Sequence, residues 1–167
     1  MNFNHIIRNE ITKPNLYIVK GMLLNMDLEK IKHAKTKQIG KTIQYFKEIA
    51  STHTYAKEIA HEEEKNGKMI LAETQTNGIG TKGRTWYTGE NKNIAMTIIL
   101  KPRCTIQQLE GLSKKVAECM QKAIREVYDI TLEMKEPNDL MLNGKKICGI
   151  LTEINTISEK INYLLIS

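Results

Sequence analysis

The chain has no apolar run near the roughly eighteen consecutive residues that a membrane-spanning helix requires, so no such span is expected. Its start, MNFNHIIRNEITKPN, has no basic stretch followed by an apolar one, which argues against a secretory leader. Cysteine is scarce. Cys104, Cys119 and Cys148 are odd in number and include no C-x-x-C, so zinc ligation and a disulfide framework both lack their spacing. Free thiols in a reducing cytoplasm are the plain reading. No internal repeat or low-complexity segment is visible.

What is present is ordinary for a folded chain. Its 167 residues are 41% hydrophobic and 26% charged, enough for one domain with one sizeable core, or one domain with a short appendage. The net charge of +6 first suggests a nucleic-acid partner, but it is unevenly placed. Residues 1–50 hold 9 Lys/Arg against 4 Asp/Glu, whereas residues 51–167 hold 16 against 15.

Along the chain, 16–19 reads as a short strand, 27–33 as a short helix and 42–46 as a strand. Ser51-Thr52 caps a helix around 55–61 that Asn66-Gly67 closes. Strands follow at 68–74 and 93–100. Apolar residues at Leu109, Leu112, Val116, Met120, Ile124 and Val127 carry a helical period over 106–128. A strand at 131–135 precedes a hairpin, in which 140–142 and 145–154 flank a type I′ turn at Asn143-Gly144. The last strand is 161–166. Strands outnumber helices, a hairpin is present and strict β-α-β alternation is absent. The expected class is α+β, with helices packed on a mixed, largely antiparallel sheet.

Gly78-Ile79-Gly80-Thr81-Lys82-Gly83 matches G-x-G-x-x-G after a strand. A dinucleotide fold would begin a helix inside this motif, and the turn-rich, aromatic stretch from Arg84 to Gly89 is no helix. A protein kinase would continue with V-A-I-K, H-R-D and D-F-G elements, which are absent. Two readings remain. Backbone N–H groups close over an anionic ligand, with Lys82 and Arg84 adding charge and Trp86 stacking on a ring. Otherwise the stretch is a hairpin loop with a solvated basic tip.

Three further features are each open to a structural reading. Asn138 and Asp139 after Pro137 offer a carbonyl oxygen and a carboxylate side by side, suited to Mg²⁺ shared with phosphates, or form a plain turn. Lys145-Lys146, followed by Gly149, would meet a carboxylate or acyl phosphate, or are solvated edge lysines. Ser51 and Thr52 put two hydroxyls at a helix start, and Gln75 is the neutral group an amide or ureido ligand needs.

The order of these features is more specific than any one of them. Ser51-Thr52, Gln75 with Gly78-x-Gly80-x-x-Gly83-Arg84-x-Trp86, Lys135-x-Pro137-Asn138-Asp139, and Gly144-Lys145-Lys146-x-x-Gly149-Ile150-Leu151-x-Glu153 together resemble the biotin protein ligase family. The resemblance runs from about Gly40 to the end of the chain. It implies an α+β catalytic domain over 41–167, related to class II aminoacyl-tRNA synthetases and lipoate ligases. Residues 1–40 would be a basic segment left from, or linked to, a DNA-binding domain. The implied chemistry is activation of biotin by ATP and Mg²⁺ to biotinyl-5′-AMP, then transfer to a lysine of a biotin carboxyl carrier protein, in the cytoplasm.

The resemblance also implies residue roles. Ser51, Thr52 and Gln75 would hold the biotin ureido ring, with His53 beside them. Gly78, Ile79, Gly80 and Thr81 belong to the loop that folds over the adenylate. Arg84 and Trp86 lie on the nucleotide side, with Lys135 and Asn138 in the ATP region and Asp139 on the metal. Lys146 contacts the biotin carboxyl and acyl phosphate, and Gly149 and Leu151 line that pocket. Arg84 and Lys146 are the expected catalytic cations. A homodimer is compatible with this pattern, whereas nucleic acid is not an expected partner. A repressor fragment and a lipoate ligase are the alternative readings.

Departures from the family pattern point to reduced activity. His53 replaces the Asn of Ser-Thr-Asn. Ile79 and Thr81 replace the arginines of Gly-Arg-Gly-Arg, and Glu136 replaces the Trp of Lys-Trp-Pro-Asn-Asp. The family continues beyond the last strand into further strands and a small barrel, so the chain reads as a C-terminally incomplete domain ending inside its sheet.

Overall fold

The computed structural model describes Ile31 and residues 39–40, 42–89 and 93–167. The strand expected at 16–19 lies outside these residues, as does the helix expected at 27–33 except for Ile31, which is helical. Contacts divide the protein into two compact units. One contains Gly111–Ile150; the other runs to Glu110 and resumes over Leu151–Ser167.

In the second of these, strand β1 (Ile43–Ile49) leads into helix α1 (Thr52–Ile59). Ser51 takes extended backbone and its hydroxyl accepts from the Thr54 N–H at 3.3 Å, satisfying a donor the first helical turn leaves open. The cap is therefore Ser51, and the helix begins three residues earlier than its apolar pattern suggests. Strand β2 (Met69–Gln75) returns parallel to β1, so α1 is the crossover that parallel pairing demands.

Three longer strands complete the sheet: β5 (Ala95–Leu100), β9 (Thr152–Ile157) and β10 (Lys160–Ile166). The order is β1-β2-β5-β10-β9, antiparallel everywhere except β1 against β2. Ala56 of α1 and Ala60, which caps its end, bury completely with Ile70, Ile99, Tyr163 and Leu165 of the sheet, and Phe46, Tyr55 and Ile59 close over them. Small residues on α1 let the helix lie close to the strands, so the larger sheet side chains fill the space. Each large apolar side chain buried here contributes about 1.5–3 kcal/mol.

Within the glycine-rich stretch, β3 (Gly78–Ile79) pairs antiparallel with β4 (Thr85–Trp86). A 3₁₀ turn at Thr81–Gly83 joins them, with Lys82 left-handed at φ 58°. The arrangement is a short hairpin with a basic tip.

The other unit carries α2 (Leu112–Tyr128) and an antiparallel sheet of β6 (Glu133–Lys135), β7 (Asp139–Leu142) and β8 (Lys145–Gly149). Leu112, Ala117, Leu132, Leu140 and Ile150 are buried. The helix expected over 106–128 is cut. A 3₁₀ turn at Gln107–Leu109 comes first, and Gly111 at φ 71° separates it from α2. Apolar spacing continues across this break, so periodicity alone does not reveal it.

The turn at Asn143-Gly144 has both residues at positive φ, 50° and 74°, as a type I′ turn needs. The strand expected over 145–154 is two strands. β8 stops at Gly149, Ile150 N–H donates to the Asn138 carbonyl at 2.8 Å, and Leu151 exchanges backbone bonds with Ser167. β9 then pairs with β10 through a turn at Ser158-Glu159, also left-handed at φ 48° and 66°. The α+β class with a mixed sheet is as expected. Among the described residues no helix is long and apolar enough to cross a membrane.

Candidate functional site

The start of α1 brings polar groups into the buried face of the five-stranded sheet. Ser51, Thr52, His53 and Thr97 are all buried. Gln75, at the end of β2, accepts from the Thr52 backbone N–H at 2.8 Å and from its hydroxyl at 3.0 Å. An amide N–H can only donate, so this contact fixes Gln75 Oε1 toward α1 and its Nε2 away. That nitrogen lies against Gly78: a methyl on Gly78 would stand 2.9 Å from it and would collide with the Trp86 carbonyl. The Thr88 hydroxyl clamps the other side of Gln75, accepting from its N–H at 2.7 Å and donating to its carbonyl at 3.0 Å.

From Thr52 a chain of side chains continues across the sheet. Thr97 lies 3.0 Å from Thr52 and 2.8 Å from Ser167, oxygen to oxygen. His53 places Nδ1 2.8 Å from Ser167 Oγ and Nε2 3.0 Å from Glu153 Oε2. Lys57 meets the other Glu153 oxygen at 2.7 Å. Burial pushes the Glu153 carboxyl upward, but the Lys57 and His53 contacts outweigh it and the net shift is downward.

Of the expected residues, Ser51, Thr52, His53, Gln75 and Gly78 stand together here. Ile79 is exposed on β3, and Gly80 N–H donates to the Arg84 carbonyl at 2.7 Å. Arg84 folds back on the turn: Nε donates to the Thr81 carbonyl at 3.1 Å and Nη2 to the Thr81 hydroxyl at 2.8 Å. Trp86 lies on β4, with Gly78 opposite it. Leu151 is held to Ser167 by two backbone bonds of 2.8 Å.

The remaining expected residues belong to the other unit. Lys146 Nζ lies 2.6 Å from Asp139 Oδ1, an ion pair half shielded from solvent. The contact is Coulombic, because that buried oxygen accepts no well-angled hydrogen bond. Asn138 Nδ2 donates to the Ile150 carbonyl at 2.7 Å, so its amide pins the end of β8. Gly149 pairs with Asp139 across the sheet. Lys135 is exposed at the end of β6. Glu136, the negative charge that stands where the family pattern has Trp, is paired with Lys114.

Magnesium fits these residues poorly. Asp139 is a single carboxylate already sharing its position with an ammonium. Among the described residues no group of three or more His, Cys, Asp or Glu is placed to hold an ion.

The sequence motifs do not include Thr97, Ser167 or Thr88, and they include Glu153 only as the end of the last block, with no role assigned. Thr97 alone carries a local signal, a hydroxyl at a buried position of an otherwise apolar strand.

A family model described as "Biotin/lipoate A/B protein ligase family" matches residues 45–166. The chain belongs to this family. Among relatives it is 32% identical over 132 residues to the bifunctional ligase/repressor BirA of Bacillus subtilis, covering 79% of this chain and 41% of that protein. It is 33% identical over 93 residues to the biotin–[acetyl-CoA-carboxylase] ligase of Paracoccus denitrificans, covering 50% of this chain and 35% of that one. The chain thus spans about two fifths or less of the length of these relatives.

Solved structures agree. The biotin protein ligase of Aquifex aeolicus in complex with biotin and ATP aligns at TM-score 0.59 and 26% identity, over 75% of this chain and 50% of that one. The Leishmania major biotin protein ligase with biotinyl-5-AMP aligns at TM-score 0.59 and 28% identity, over 75% and 55%. The family likeness read from the motifs and the α+β class both hold for this ligase-family chain.

Proposed function

We propose that this chain activates biotin with ATP to biotinyl-5′-AMP and passes biotin to a lysine of a biotin carboxyl carrier protein. The observation that carries this reading is the half-buried Thr52–Gln75 pair beside Gly78. It fixes neutral hydrogen-bonding groups, the kind a flat ureido ring pairs with, where Gly78 lets the β3–β4 hairpin close against Gln75. The relatives' named activities and the structures solved with biotin, ATP and the adenylate support the same assignment.

In the first step a biotin carboxylate oxygen bonds to the α-phosphorus and pyrophosphate leaves. In the second, the acceptor lysine amine attacks the acyl carbon, AMP leaves and the amine loses a proton. Both steps concentrate negative charge, and positioned cations stabilise it. Lys146 is the proposed cation for the acyl phosphate, with Asp139 holding its ammonium in place. Arg84 is the proposed cation for the nucleotide; its bonds to Thr81 would have to yield or be shared. Trp86 offers a ring face to the base. Magnesium would arrive with the triphosphate, and no step here depends on a protein-built site for it. With Ile79 and Thr81 on the loop, the adenylate would be held less firmly and some would escape.

The test is biotin-dependent ATP–pyrophosphate exchange together with calorimetric titration of biotin and of lipoate. The expected result is exchange with biotin and not with lipoate, detectable free biotinyl-5′-AMP, and a fall of about 10²–10³ in exchange for Lys146→Gln. Binding of lipoate in preference to biotin, or binding of neither, would overturn the proposal.

A further inference from the structure

The half-buried chain from Glu153 to Gln75 has more links than its neutral side chains have protons. Its links are Glu153–His53, His53–Ser167, Ser167–Thr97, Thr97–Thr52 and Thr52–Gln75, all between 2.8 and 3.0 Å. Both ends only accept. Gln75 Oε1 is fixed as an acceptor by the Thr52 N–H, and Glu153 is a carboxylate paired with Lys57. Five links need five protons. Ser167, Thr97 and Thr52 bring one each, and a neutral imidazole brings one more. One link would then be two lone pairs facing each other within 3.0 Å, too close for a water to stand between them, a costly arrangement.

We infer that His53 carries protons on both ring nitrogens in the ligand-free chain, and that this directs every hydroxyl toward Gln75. Nε2–H donates to Glu153 and Nδ1–H to Ser167. Ser167 then donates to Thr97, Thr97 to Thr52, and Thr52 to Gln75. His53 is thereby a positioning residue. It turns the Thr52 hydroxyl and Gln75 amide into one fixed pattern of donors and acceptors at the ring-binding end. This role rests on the proposed binding of biotin there; the proton inventory itself does not.

The charged group in contact with His53 is Glu153 of β9; Lys57 of α1 pairs with the same carboxylate, and Tyr163 of β10 lies in the field of both. The N-terminal end of α1 opposes a cation, and the Glu153 carboxylate at 3.0 Å offsets it. Lys57 is held by the same carboxylate. Burial, then Glu153, push the Tyr163 phenol upward and keep it neutral.

The experiment is ¹⁵N NMR of the histidine rings and glutamine side-chain amides from pH 5 to 9, without ligand, in the wild type and in Glu153→Gln. The glutamine places an N–H donor where Glu153 Oε2 stood, so it supplies the fifth proton itself and still accepts from Lys57. The wild type is expected to show both His53 nitrogens protonated. If a proton leaves within the range, the Gln75 amide shifts with the same midpoint. Glu153→Gln is expected to show a neutral His53 with its proton on Nδ1 and a Gln75 signal that ignores pH.

Biotin affinity, measured in parallel, is expected to stay level with pH wherever the Gln75 signal does, in Glu153→Gln throughout, and to weaken about fivefold wherever that signal shifts. A His53 protonated only on Nε2 throughout, or one that titrates while Gln75 stays still, overturns the inference. If Glu153→Gln does not fold, the wild-type titration still decides. Absence of biotin binding would overturn the positioning role and the function proposal while the NMR result stood on its own.

Discussion

Gly78→Ala should disable the ring-binding end of the site while barely changing composition. Gly78 is buried and faces Trp86 across the β3–β4 hairpin. An added methyl would overlap the Trp86 carbonyl oxygen, stand 2.9 Å from Gln75 Nε2 and 3.3 Å from Trp86 Cβ. The first is backbone and cannot rotate away without loosening a hairpin made of two-residue strands. Overpacking of this kind costs about 1–3 kcal/mol. Global unfolding need not feel it, because so short a hairpin can open locally. If the full cost falls on the binding-competent hairpin, biotin affinity drops by about 5- to 150-fold.

Calorimetry measures that loss, and hydrogen exchange at the Gly80 amide, which bonds to the Arg84 carbonyl, reports the hairpin. Gly80→Ala is the control: its methyl would stand 3.4 Å from the Arg84 carbonyl, an ordinary contact, so affinity should change by less than about twofold. Equal affinities and equal protection in the two variants would show that the close approach at Gly78 is not what shapes the site.

Leu140 is fully buried in its unit, so Leu140→Ala should cost about 2–5 kcal/mol, read as a lower urea midpoint. The Tyr45 hydroxyl donates to Glu73, and this bond, with burial and the carboxylate charge, pushes the phenol up to about 12. Its folded value lies above its unfolded one, so the stability it contributes is complete below about pH 10 and is lost as pH rises toward 12. Tyr45→Phe should remove the latest-ionising tyrosine from an ultraviolet titration. The Cys148 thiol is pushed up by burial, with Asp139 adding to the shift and Lys146 opposing it, so at pH 8 it should alkylate more slowly than a small free thiol.

Local chemistry made much of the fold legible. Asn143-Gly144 is a type I′ turn because those residues tolerate positive φ, and Ser51 is a cap because its hydroxyl reaches the first turn. Ser158 and Glu159 take the same left-handed backbone without glycine or asparagine, so the β9–β10 hairpin carries no turn signal. The 145–154 stretch likewise looks continuous. Its break at Ile150 and Leu151 comes from distant partners, Asn138 and Ser167, which periodicity does not contain. The site divides the same way. Ser51, Thr52 and Gln75 flank elements recognisable from sequence. Thr97, Glu153 and Ser167 join through pairs separated by 45, 100 and 114 residues.

The charge changes singled out from sequence also read differently beside their neighbours. Glu136 adds a negative charge where the family pattern has Trp, and it is paired with Lys114. Both side chains are largely exposed, so solvent screens the pair and it adds little stability. Its electrostatic consequence is larger than its stabilising one, because the net charge of the pair is zero. Arg84 shows the converse. It is present where the family pattern wants it, yet two of its donors are bonded to Thr81, a residue that stands where that pattern has another arginine. Replacing the arginine by threonine therefore removes one cation and supplies an acceptor that holds a second. Under the proposed function, a ligand phosphate would have to compete with Thr81 for this guanidinium, so the Thr81 change would weaken the loop's grip through Arg84 as well as through the missing charge.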